Sequence, residues 1–177
     1  MNVVEILILL VGTVVLVILT WTVSLRAGRH HGIFRFFSFE SILILALLNW
    51  RWWFAHPFSA NQIASWILLC GSILPAVAGY RSLHRHGRAK DGFENTQTLV
   101  QTGIYSQIRH PMYLSLMMLG TGAFLKGVTE TTLALALVNC VALIATALRE
   151  EKEMMEKFGP LYAGYMTRTK RFFPGIF

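Results

Sequence analysis

The sequence predicts an all-α fold: a polytopic membrane protein of about five transmembrane helices. Three observations predict it. The chain is 54% hydrophobic and 14% charged over 177 residues, whereas soluble domains carry about 25% charged residues. Its apolar residues gather into runs near the ~20 needed to cross a bilayer as a helix, the form in which a backbone satisfies its own polar groups. Its cations lie almost wholly on one side of those runs.

The spans in order are residues 3–25, 39–58, 63–80, 112–125 and 131–148. The first has no basic residue before it and no small-residue cleavage site, so it reads as a permanent helix rather than a signal peptide. The second is interrupted by Arg51 near its far end. The third contains Pro75, which predicts a kink. The run 112–125 is short, so four spans is the alternative count. Residues 1–177 form one membrane domain, with three N-terminal helices in 1–80 and, in 81–177, the more polar half where chemistry is to be sought.

With the N-terminus outside, only Arg51 and Lys126 of the sixteen lysines and arginines face outward. That asymmetry follows the positive-inside rule and places the C-terminus and the candidate site in the cytoplasm, in a protein of the cell membrane. The net charge of +7 therefore serves orientation and contact with anionic membrane lipids, not nucleic acid. Cys70 and Cys140 lie in apolar runs, and neither a disulfide nor a metal site is expected. His84 and His86 are two apart and share no helix face. Trp50, Trp52 and Trp53, with Arg51 and His56, read as an interfacial aromatic belt with a snorkelling arginine.

Two long polar stretches, 81–111 and 149–177, carry more chemistry than connecting loops need. The first contains TLVQTGIYSQIRHPMY (98–113). Thr102-Gly103 reads as a turn, and Pro111 suits the first position of a helix. His110, preceding a proline, is pushed from helical geometry. Arg109 and His110 should therefore stand at the positive N-terminal end of a helix, with Tyr113, Met117 and Gly120 following on one face. In the second stretch the last membrane helix runs on to Phe158 and stops at Gly159-Pro160. Glu150 and Glu151 then lie within a turn of the membrane surface, followed by Tyr162, Tyr165 and a basic-aromatic tail with Arg168 and Arg171. Singly, each stretch also fits a membrane anchor or a solvated helix face. Together they bring ionisable residues to one interface, where such groups mark a site.

The pattern LV-x-x-GIY-x-x-x-RHPMY, a helical hairpin, then EE…FG-x-x-Y-x-x-Y…RFFP resembles the isoprenylcysteine carboxyl methyltransferase family over about residues 90–177. The resemblance implies a membrane methyltransferase that binds S-adenosylmethionine and methylates a carboxylate or other nucleophile on a prenylated or otherwise lipophilic acceptor. It implies that Leu99, Val100, Gly103, Tyr105, His110, Tyr113, Glu150 and Glu151 surround the cofactor. Arg109, with Arg168 and Arg171, is then expected to hold the acceptor, and Arg109, His110 and Glu150 to be the catalytic set.

The residue types fit that chemistry. An activated sulfonium needs alignment and exclusion of water. A carboxylate acceptor needs an arginine to position it, and an amine needs a group to take its proton, for which His110 or Glu150 are candidates. No G-x-G-x-x-G follows a strand, which argues against a soluble nucleotide-binding fold. Two other readings are an NADPH-dependent enzyme similar to sterol reductases, using Arg81, Arg85 and Arg88, and a non-enzymatic transporter or scaffold.

Overall fold

The computed structural model describes residues 2–87 and 98–175, so Arg88 and Lys90 lie outside the described residues. Within them the chain is helical: α1 (Val3–Leu19), α2 (His31–Leu48), α3 (Ala60–Gly71), α4 (Ile73–His86), α5 (Pro111–Leu125), α6 (Glu130–Phe158) and α7 (Pro160–Arg168). Four helical runs are long and apolar enough to cross a membrane: Val3–Ala27, which continues α1 through two tighter and wider turns, His31–Leu48, Ala60–His86, and Glu130–Phe158. The fifth apolar helix, α5, has 15 residues, or roughly 22 Å, short of a ~30 Å hydrocarbon layer. The alternative count of four thus describes the full-length spans, and α5 is a shorter helix packed among them.

The second span differs from its expected bounds. It begins at His31 and ends at Leu48 rather than covering 39–58. Its charged residues, which argue against a membrane helix in sequence, are accommodated locally. Arg35 donates to Ser24 Oγ at 2.6 Å and Thr13 donates to Glu40 Oε1 at 2.7 Å. The helix stops where Asn49 turns its amide to the carbonyl of Ala123, 2.8 Å away, and Trp50–Trp52 form a 3-10 turn. The third run is longer than expected and is broken at Ser72 between α3 and α4. Pro75 offers no N–H to the carbonyl four residues earlier, that of Gly71, so the helix yields there.

In lipid the helices gain little from burying apolar surface against one another, and close approach and hydrogen bonds hold them. Ser65 Oγ donates to the carbonyl of Gly122 at 2.6 Å, joining α3 to α5. Asn139 of α6 donates to Ser38 Oγ of α2 at 2.9 Å. A side chain at Gly120 would place its Cβ 2.5 Å from Asn139 Oδ1, so glycine lets α5 lie against α6. Helix α2 packs chiefly on α6, and α4 on α5.

Arg51 and Lys126, the two cations expected to face outward, share one end of the bundle. Lys126 is buried there, its ammonium 2.9 Å from Gln62 Oε1 and 3.8 Å from the ring centroid of Trp66. Trp53 meets Trp66 edge-on at 6.1 Å. The aromatic cluster thus encloses Lys126 in addition to flanking Arg51. At the basic end, α6 overruns the bilayer. Its 29 residues span roughly 43 Å, which carries residues 150–158 beyond the hydrocarbon layer.

Candidate functional site

The site assembles at the basic end, where α2 and α5 begin and α4 and α6 finish. Pro111 opens α5 as expected, with His110 at φ −126° before it. The tail that follows α7 returns to this point. The N–H of Arg109 donates to the carbonyl of Lys170 at 2.8 Å, the N–H of His110 to that of Arg171 at 3.0 Å, and the N–H of Lys170 to that of Gln107 at 3.1 Å. This short parallel pairing leaves no periodic trace in sequence, since two or three residues are too few to show alternation. It seats Phe172, 1% exposed, against Tyr113, Met117, Leu143 and Ala147.

Adjacent glutamates divide two roles because neighbours on a helix point about 100° apart. Glu151 turns inward, 5% exposed. Its Oε1 accepts from Arg109 Nε at 2.8 Å and lies 3.3 Å from His110 Nε2, while its Oε2 accepts from Arg171 Nη2 at 2.8 Å. Arg109 also donates through Nη1 to the carbonyl of Thr169. Glu150 faces the other way. Its Oε2 accepts from the Tyr113 hydroxyl at 2.7 Å and lies 3.6 Å from His110 Nδ1. The His110 ring stacks on Tyr113 at 5.3 Å and 12°, so one imidazole bridges the two carboxylates.

Glu150 lines a cavity of about 330 Å³, within the ~300–1,000 Å³ of small-molecule sites. Leu99, Val100, Tyr105, Arg109, His110 and Tyr113 line it too, and Phe39, Ala76 and Ser115 continue its wall toward the membrane span. Burial holds its phenols neutral. Burial, then the charge of Glu150, raises Tyr105; burial, then Glu151, raises Tyr162; and burial pushes Tyr165 up to about 12. The Tyr165 hydroxyl donates to the carbonyl of Tyr105 at 2.7 Å.

Four expected site residues stand off this wall. Glu151 and Arg171 lie behind it, in the ion-paired frame. Arg168 is exposed and donates to the carbonyl of Gly164 and, at 3.4 Å, to Gln101 Oε1. Gly103 adopts φ +64°, and a Cβ there would sit 2.7 Å from Ser82 Oγ, so its place is in the turn against α4. Arg81 and Arg85, the cations of the nicotinamide reading, do not line the cavity.

The sequence reading missed the wall supplied by the N-terminal half: Arg29, His31, Arg35 and Phe39, which line the cavity together with Glu150, Glu153 and Met154. The signal available was the polar cluster of residues 29–35 directly before an apolar helix. Orientation explained those cations equally well, and only helix pairing shows where they point.

The cavity is walled by two carboxylates, three arginines, the stacked His110–Tyr113 pair and apolar residues, a lining that suits an aromatic ligand bearing charged groups. No curated protein sequence matches the chain significantly. Residues 60–160, from the start of α3 to the first residue of α7, match the family described as phospholipid methyltransferase. Those residues hold the RHPMY block, Glu150 and Glu151 but neither the α2 wall nor the tail. With more than half its length matched, the chain belongs to the phospholipid methyltransferase family and is a membrane methyltransferase.

Proposed function

We propose that the protein is an S-adenosylmethionine-dependent methyltransferase that acts on a lipid-borne acceptor at the cytoplasmic face of the cell membrane. One observation carries the reading: Glu150, His110 and Tyr113 share a cavity whose wall continues along Phe39, Ala76 and Ser115 between α2 and α4. Among the described residues those two helices make little contact with each other. That arrangement suits a polar donor held at the water side and an acceptor arriving from lipid.

S-adenosylmethionine supplies a methyl group already activated on a sulfonium. The protein's residues therefore bind, orient and exclude water. Glu150, fixed by Tyr113, offers a carboxylate to the donor's ammonium or ribose hydroxyls. His110 and Tyr113 offer one stacked face, and Leu99, Val100 and Tyr105 the opposite wall. Arg109 directs two of its nitrogens into the frame, and among the described residues its Nη2 makes no hydrogen bond. That nitrogen remains for the acceptor. Glu151 and Arg171 are positioning residues, acting through Arg109 and His110. Gly103 and Arg168 act through the turn and α7.

The test is calorimetric titration of detergent-purified protein with S-adenosylmethionine and, separately, NADPH. Saturable binding of the first alone is expected. NADPH binding without S-adenosylmethionine binding overturns the reading. Mass spectrometry of membranes incubated with labelled donor then shows whether an ester, an amine or a thioether gains the methyl group.

A further inference from the structure

One turn of α6 beyond Glu150, a second pair of ionisable groups lines the same cavity, and no role above uses it. His31, in the first turn of α2, is 4% exposed. Its Nδ1 lies 2.7 Å from Oε2 of Glu153 on α6. Both side chains line the cavity. A carboxylate at that distance accepts a hydrogen bond from Nδ1–H and so fixes the ring's tautomer, leaving the lone pair on Nε2. Among the described residues Nε2 has no hydrogen-bond partner. An imidazole that lines a substrate cavity and is oriented by a carboxylate is the arrangement that accepts a proton from a nucleophile.

The surrounding charges are these. Glu153 has Arg149 behind it, Nε to Oε1 at 3.9 Å. Arg29 and Arg35, from the segment of His31, line the cavity with it, as do Arg109, His110, Tyr113, Glu150, Tyr105, Tyr162 and Tyr165. A carboxylate acceptor has no proton to lose and no use for a base, whereas an ammonium must lose one before its nitrogen can attack.

We propose that His31 is a catalytic residue, the proton acceptor for an amine-bearing lipid headgroup, with Glu153 its positioning residue. The proposal rests on the methyltransferase reading. The acceptor R–NH3+ passes one proton to His31 Nε2. The freed nitrogen lone pair forms the bond to the methyl carbon while the carbon–sulfur bond breaks, its electron pair remaining on sulfur as a neutral thioether. The product nitrogen carries the positive charge. The imidazolium, offset by Glu153, returns its proton to solvent.

The experiment compares full-length wild type with His31→Gln and Glu153→Gln in nanodiscs of phosphatidylethanolamine, measuring donor affinity, kcat and KM across pH. For His31→Gln, donor affinity is expected to stay within about twofold and kcat to fall about 100-fold. The residual rate should climb with pH without the wild-type plateau, as the amine deprotonates by itself. A wild-type kcat and pH profile in His31→Gln overturns the proposal while leaving the methyltransferase reading intact, as does a product methylated only on a carboxylate. Absence of donor binding in wild type overturns both. Nitrogen-15 NMR of the histidines in donor-free protein is the readout independent of turnover and of the His31 variant's folding. The His31 signal, identified by its shift in Glu153→Gln, should report a proton on Nδ1, and a proton on Nε2 alone overturns the dyad.

Discussion

Glu151 and Arg109, forty-two residues apart, meet at 2.8 Å with side chains 6% and 8% exposed. Arg171 closes on the same carboxylate from the tail at 2.8 Å. The pair welds three separate segments, so Glu151 holds the cavity's frame while its neighbour Glu150 faces the cavity.

That division predicts opposite phenotypes for two adjacent substitutions. Glu151→Gln leaves buried guanidinium charge uncompensated, which costs about 3–5 kcal/mol, and thermal melting in detergent should show a large drop. Glu150→Ala removes one partly exposed acceptor of the Tyr113 hydroxyl, a loss of about 1 kcal/mol. Its melting point should change little, while affinity for S-adenosylmethionine falls about tenfold or more. Equal melting points for the two variants contradict the assignment.

Gly103→Ala should destabilise for two separable reasons. Its φ of +64° costs a Cβ-bearing residue about 1–2 kcal/mol, and the new methyl meets Ser82 Oγ. Adding Ser82→Gly should return the steric part of the lost stability and leave the backbone part, which chemical denaturation of the single and double variants can separate.

Stability should fall on the alkaline side. The unfolded chain binds its tyrosine protons only to about pH 10, whereas folded Tyr165 keeps its proton to about 12. Between those values the native state holds more protons than the unfolded one, so unfolding is favoured as pH rises. The contribution of Tyr165 is fully present below pH ~10 and is lost through about 12. Melting points from pH 9 to 12 should fall less steeply in Tyr165→Phe, although that variant begins lower by about 1 kcal/mol for the lost bond to the carbonyl of Tyr105.

The proposed orientation predicts one-sided labelling. With Cys70 and Cys140 replaced by alanine, Phe58→Cys, at a position 90% exposed, should react with an impermeant maleimide on intact cells. Lys152→Cys should react only after permeabilisation. The reverse pattern places the site outside.

Much of this molecule is written locally. Composition and apolar run length suffice for a helical membrane protein, because a bilayer admits few alternatives to the helix. Pro111, Pro75 and Gly159-Pro160 set a helix start, a break and a stop by their own backbone chemistry. The RHPMY and EE…FG blocks could be read as neighbours because their residue types converge on one interface, and the fold does bring Arg109 and His110 to Glu151. The bounds of α2 were not, because Arg35 and Glu40 look costly in a membrane until Ser24 and Thr13 are seen beside them. Which glutamate faces the cavity is likewise a matter of helix rotation against neighbours. The pairing of residues 107–110 with the tail, and the arrival of His31 beside Glu153, depend on contacts between segments far apart in sequence. Local propensity carries no information about such contacts, and only the packed bundle decides them.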